Sequence, residues 1–151
     1  STLPELPSAL LKSPHFQIER VRRHTKDEVE RTLAKHDTTM REYWVLSCVD
    51  VAPMSQRQLS ELLIIDASDM VRLIDSEMCK ETDSLEKLGW VTRDRDPKDR
   101  RRQIVAATKK GTKALAKLGD YVVAAEERAL EASSQKQLKN LKKLSQALET
   151  E

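Results

Sequence analysis

Only three glycines occur in 151 residues, and aromatic side chains make up just 3% of the chain. No glycine-rich phosphate loop is present, which removes the commonest nucleotide-binding design. With so few aromatics the core has to come from Leu, Val, Ile and Ala, which suits helices packed on helices. Two cysteines, Cys48 and Cys79, are too few for a disulfide scaffold. No apolar run approaches the ~20 residues that cross a bilayer, and no charged start with a short apolar stretch and a small-residue cleavage site opens the chain. A soluble cytoplasmic protein without a membrane partner is therefore expected. Nor is there a nucleophile and base pair or a CxxC or HExxH pattern, so the chain reads as neither an enzyme nor a metalloprotein, and no cofactor is expected.

What is abundant is charge. The 27 basic and 25 acidic residues nearly cancel to a formal +2, too small a total to mark a nucleic-acid binder, so the distribution has to decide. A polar, proline-containing arm runs through Lys12. Ser13 then caps a helix that starts on Pro14, where a missing N–H does no harm. Ile18, Val21, Val29 and Leu33 recur there at helical spacing among Arg, Glu and Lys, a narrow apolar stripe that needs a partner. Thr39 with Glu42, and Ser55 with Gln58, are capping-box pairs. The first opens an apolar helix through Tyr43, Trp44, Val45, Leu46 and Val49, and the second leads into Leu59, Leu62 and Leu63. Asp66 and Asp69 introduce Met70, Leu73 and Ile74 in the same way, so two short helices follow in tandem.

Gly89 is placed to end the next helical stretch. After it the pattern changes to Trp90-Val91-Thr92, a charged turn around Pro97, and Ile104-Val105-Ala106, which reads as a two-stranded hairpin. Thr108 and Gly111 lead into a helix carrying Leu115, Leu118, Val122 and Ala125. Ser134 with Gln137 caps a last helix carrying Leu138, Leu141, Leu144 and Leu148. The first helix and the last two carry one-sided stripes that would be buried most simply by pairing across a two-fold axis. The fold class is thus mainly α with a small two-stranded β-hairpin, in three parts: residues 1–38 as N-terminal arm and dimerisation helix, 39–111 as a DNA-binding lobe, and 112–151 as C-terminal dimerisation helices.

Two short helices followed by a basic hairpin is the order of a winged helix-turn-helix, in which the second helix enters the major groove and the hairpin meets the neighbouring backbone or minor groove. Six basic residues crowd the hairpin, namely Arg93, Arg95, Lys98, Arg100, Arg101 and Arg102, with Asp94, Asp96 and Asp99 among them. Positive charge is concentrated where a wing would touch phosphates.

The run Asp96-Pro97-Lys98-Asp99-Arg100-Arg101, then Val105, Thr108 and Gly111, resembles the wing signature of MarR-type regulators. Ser68, Arg72, Leu73, Ile74 and Asp75 resemble that family's recognition helix, and the likeness extends over residues 39–111. It implies a homodimer on a pseudo-palindromic double-stranded operator, usually a repressor, released by a small-molecule effector or by cysteine oxidation. Position by position, it implies that Ser68, Asp69 and Arg72 face base edges, Ser55 and Gln56 touch phosphates, and Arg101 is the wing-tip arginine oriented by Asp99. A guanidinium such as that of Arg72 can make two hydrogen bonds to a guanine edge. A winged-helix module that binds protein rather than specific DNA is the alternative, and the basic hairpin and Arg72 disfavour it.

The sequence departs from the family pattern in two places. The family would run from Ile74-Asp75 almost directly into Leu85-Glu86-Lys87-Leu88-Gly89, yet Ser76 to Asp83 intervene. Simply lengthening the recognition helix by this segment would carry the hairpin ~12 Å along the axis and turn it by ~80°. Asp83 and Glu86 form a restarted cap pattern, which favours a looped-out segment and a resumed short helix, whereas the absence of Gly and Pro between Asp66 and Leu88 argues for continuity. The second departure is Ile64, where the family commonly has Gly in the turn.

Cys48, in the apolar helix, reads as a buried inert thiol or as a redox sensor, and Cys79, among Glu77, Lys80 and Glu81, as a second candidate thiol without strong thiolate support. His24 and Glu28 are four apart but lack the rest of a metal site. The family's effector pocket makes His15, Tyr43 and Trp44 candidates for lining it, and each is equally explained by packing.

Overall fold

The computed structural model describes residues 2–63 and 78–149, with only the backbone given for 78–80. The chain divides into two compact units. One holds the residues up to Val29 together with those from Val123 onward, and the other spans Glu30–Val122.

The first unit is helical. Pro7 precedes a one-turn helix, α1 (Ser8–Leu11), inside the stretch expected to be an irregular arm. Helix α2 (Pro14–Ala34) starts where Ser13 and Pro14 place it, with Ser13 Oγ accepting from the Phe16 N–H at 3.2 Å. The end of the long C-terminal helix, α6 (Lys109–Ala129), is joined to α2 by polar contacts. Arg128 Nε donates to Glu28 Oε1 at 2.9 Å, and His24 Nε2 donates to the Ala129 carbonyl at 2.7 Å. Helix α7 (Gln135–Ala147) opens on the Ser134–Gln137 capping box. Ile18 and Val21 on α2 and Leu141, Leu144 and Leu148 at the C-terminal end are exposed, so these apolar stripes are left uncovered by the described residues.

The second unit follows the tandem-helix and hairpin order. Helix α3 (Met40–Val51) begins on the Thr39–Glu42 capping box, and α4 (Gln56–Leu62) on Ser55–Gln58, each with both reciprocal hydrogen bonds formed. Helix α5 (Met78–Lys87) precedes strands β2 (Val91–Arg95) and β3 (Gln103–Ala107). The turn between α5 and β2 is made by Gly89 at φ +75, a conformation that a Cβ resists. Trp90 N–H reaches the Leu85 carbonyl at 3.0 Å and Gly89 N–H the Glu86 carbonyl at 2.9 Å, the paired bonds of a Schellman end. Val45, Leu46, Val49, Leu59, Leu85, Val91 and Val105 form one core cluster, so every described element of this unit from α3 to β3 places an apolar residue in it or against it.

Two expectations need correction. The sheet has three strands rather than two, because β1 (Met54–Ser55) joins as a third and the order is β1-β3-β2. Met54 pairs with Val105 and Ser55 with Ile104; two residues are too few to show a strand's alternation in sequence. The helix expected to restart at Asp83 is already running from Met78, so Asp83 lies inside α5 and caps nothing. Among its described side chains Thr82 and Leu85, three apart, are fully buried.

Candidate nucleic-acid interface

The hairpin tip is a compact, self-bonded turn. Asp96 N–H donates to the Arg102 carbonyl at 2.9 Å, Arg102 N–H to the Asp99 carbonyl at 2.9 Å, and Asp99 N–H to the Asp96 carbonyl at 3.2 Å. Two aspartates fix it further from their side chains: Asp96 Oδ1 accepts from Lys98 N–H at 2.9 Å and Asp99 Oδ1 from Arg101 N–H at 3.1 Å. The acidic residues therefore shape the loop, which explains their place in a basic segment. Asp99 Oδ1 also accepts from Arg101 Nε at 3.2 Å while the Arg101 side chain remains 92% exposed. A carboxylate that holds only Nε leaves both terminal nitrogens of the guanidinium free to point outward.

The remaining basic residues fall into distinct environments. Arg95 donates from Nη1 to the Arg100 carbonyl at 2.7 Å, bracing the loop from the strand. Arg102 donates from Nη2 to Ser55 Oγ at 3.1 Å. The side chains of Lys98 and Arg100 are exposed and make no ion pair with a described residue. Arg93 stands apart: its side chain is only 20% exposed and its Nη2 lies against both Asp83 and Glu86, with the Glu86 contact at 3.0 Å. These bonds and charges hold its guanidinium more firmly protonated than usual, against the opposing effect of its partial burial.

The Ser55 hydroxyl is engaged inside the fold. It accepts from Gln58 N–H at 3.1 Å as the α4 cap and from Arg102, and the residue is 2% exposed. Gln56, the next residue, is half-buried at the start of α4.

A family model described as a winged helix DNA-binding domain matches residues 39–111, the region built from α3 to the start of α6. Among solved structures, a MarR-family transcriptional regulator from Rhodococcus sp. RHA1 is similar over 94% of this chain and 96% of its own, with 26% identity and a TM-score of 0.78. This chain carries a winged helix DNA-binding domain in a fold similar to that of MarR-family regulators. Two further likenesses speak for the fold alone. CouR from Rhodococcus jostii RHA1, bound to p-coumaroyl-CoA, has 22% identity and a TM-score of 0.76, covering 94% of this chain and 95% of that one. Wild-type apo MarR from E. coli has 20% identity and a TM-score of 0.67, covering 97% and 99%. No curated protein sequence matches the chain.

The residues expected on a recognition helix, Ser68, Asp69 and Arg72, lie outside the described residues, as does Ile64. Cys48 is a partly buried free thiol packed against the core cluster, and burial pushes its pKa up, away from the easily oxidised thiolate. The side chain of Cys79 is outside the described set. Of the residues considered for an effector pocket, His15 is exposed on α2 in the first unit, while Tyr43 and Trp44 are half-buried on α3 in the second. Among the described residues no cluster of His, Cys, Asp and Glu is arranged for a metal, and no helix is long and apolar enough to cross a membrane.

The role of Arg93 was not legible in sequence. Arginine in a basic hairpin predicts a solvent-facing cation, and nothing in the spacing of Asp83, Glu86 and Arg93 reveals that a helix and a strand bring them together. The one available signal was alternation: Arg93 shares a strand face with the buried Val91.

Proposed function

We propose that this chain is a MarR-type homodimeric repressor that binds a pseudo-palindromic operator and is released by a small-molecule effector. The observation that carries the reading is the wing tip, where Asp99 holds Arg101 by one nitrogen and leaves its guanidinium in solvent beside Lys98 and Arg100. A cation held ready in this way loses less side-chain freedom on meeting a phosphate or the minor groove. Ser68, Asp69 and Arg72 are assigned to base edges and Gln56 to a phosphate, with Ser55 acting through the Arg102 it holds. Residues 1–38 and 112–151 are assigned to dimerisation around the 39–111 reading lobe, and the exposed stripes of α2 and the C-terminal helix support that assignment.

Release by an effector rather than through Cys48 is favoured by the raised thiol pKa. The CouR structure, with p-coumaroyl-CoA bound, supports ligand control as a mode open to this fold. The effector would change the separation of two recognition helices that must reach successive major grooves ~34 Å apart.

The wing is tested by Arg101→Ala in a salt titration of DNA binding. One lost phosphate contact should reduce the slope of log affinity against log salt by ~0.9 with the fold intact. An unchanged affinity and slope would remove the wing from the interface.

A further inference from the structure

Arg93 sits among the wing cations in sequence, but its surroundings are not those of a DNA-facing residue. Its strand neighbour Val105 is fully buried, and Val91 on the same face belongs to the core cluster beside Leu85 of α5. One turn of α5 presents Asp83 and Glu86 on the same helix face, and both carboxylates meet the same guanidinium nitrogen. The local charge is one positive against two negative. A phosphate approaching Arg93 would therefore meet net negative charge, whereas at the tip five basic residues outnumber Asp94, Asp96 and Asp99.

Asp83 belongs to the segment that departs from the family pattern, Ser76 to Asp83. Of that segment, residues 78–83 lie within α5, and Thr82 is fully buried. We propose that Arg93 is a positioning residue rather than a DNA contact: with Asp83 and Glu86 it latches the wing strand β2 to α5, and the additional segment supplies one of the two carboxylates. The latch sets the angle at which the hairpin leaves the helix that follows the reading head. Gly89, at the Schellman end between them, is the joint it spans. This inference rests on the DNA-binding reading for its functional consequence, but not for the latch itself.

The two roles of Arg93 make opposite predictions for Asp83→Asn/Glu86→Gln. If Arg93 touches phosphate, removing two nearby negative charges frees it and tightens binding. If it positions the wing, the same change weakens DNA binding, roughly three- to tenfold for a half-exposed ion-pair network, despite the gain in net positive charge. Adding Arg93→Ala to that double variant should then cost little more. Tighter or unchanged binding by the double variant, with a loss for Arg93→Ala alone, would overturn the proposal.

Hydrogen exchange on the DNA-free protein supplies an independent readout. In the double variant the amides of Thr92 to Arg95 and those at the end of α5 should lose protection together, while α3 keeps its own. Unchanged protection at both segments would overturn the latch. If the wild-type protein binds no DNA while this coupled loss of protection is seen, the DNA-binding reading fails and the latch stands.

Discussion

Arg102 Nη2 donates to Ser55 Oγ at 3.1 Å, joining residues 47 apart in sequence at the point where the wing meets the first helix of the reading head. The same hydroxyl caps α4, so one buried oxygen serves two elements. Ser55→Ala should remove both bonds and lower the unfolding free energy by about 1–2 kcal/mol, most of it from the cap. Arg102→Ala should cost less, since Gln58 N–H keeps its acceptor. Urea midpoints of the two variants test this order, and an equal or reversed order would contradict it.

Gly111 and Gly89 make a contrasting pair. A Cβ at Gly111 would lie 2.1 Å from the Trp90 carbonyl oxygen and 2.9 Å from its carbon, so backbone would have to move. At Gly89 a Cβ would make only ordinary contact with the Lys110 side chain, at 3.7 Å, and only the positive φ resists. Gly111→Ala should therefore destabilise by ~1–3 kcal/mol or more, and Gly89→Ala by ~1–2 kcal/mol. Thermal melts should rank Gly111→Ala as the worse variant.

Much of this fold was written locally. Thr39, Ser55 and Ser134 with their partners three residues on marked three helix starts, and Gly89 marked a helix end, because a cap is satisfied within one turn of chain. The strands on either side of the charged turn were legible from the change of period. What stayed hidden depends on contacts distant in sequence or on very short elements. The pairing of Met54-Ser55 with β3 is too brief to leave a pattern. Asp83 and Glu86 have the spacing of a cap, yet their carboxylates meet an arginine on a strand, and sequence spacing cannot distinguish those two uses.

Cys48 provides a pH test. Burial raises its thiol pKa from the ordinary 9.0, so the folded protein holds this proton more tightly than the unfolded chain. The contribution of this group to stability is thus fully present below the unfolded thiol's pKa and declines as pH rises through it. In a Cys79→Ser background, alkylation near pH 7.5 should be slower than that of a free thiol, and it should still be climbing above pH 9. A rate that levels off near neutral pH would mark Cys48 as a reactive thiolate and reopen oxidation as the release route.

The most direct measurement is selection of genomic DNA fragments by the purified full-length protein, followed by gel shifts at two salt concentrations. A recovered pseudo-palindrome with half-site centres about one helical turn apart, bound ~10³-fold or more tightly than random DNA and more weakly as salt rises, is the result predicted. Uniform binding to all fragments, or none, would contradict the regulator account.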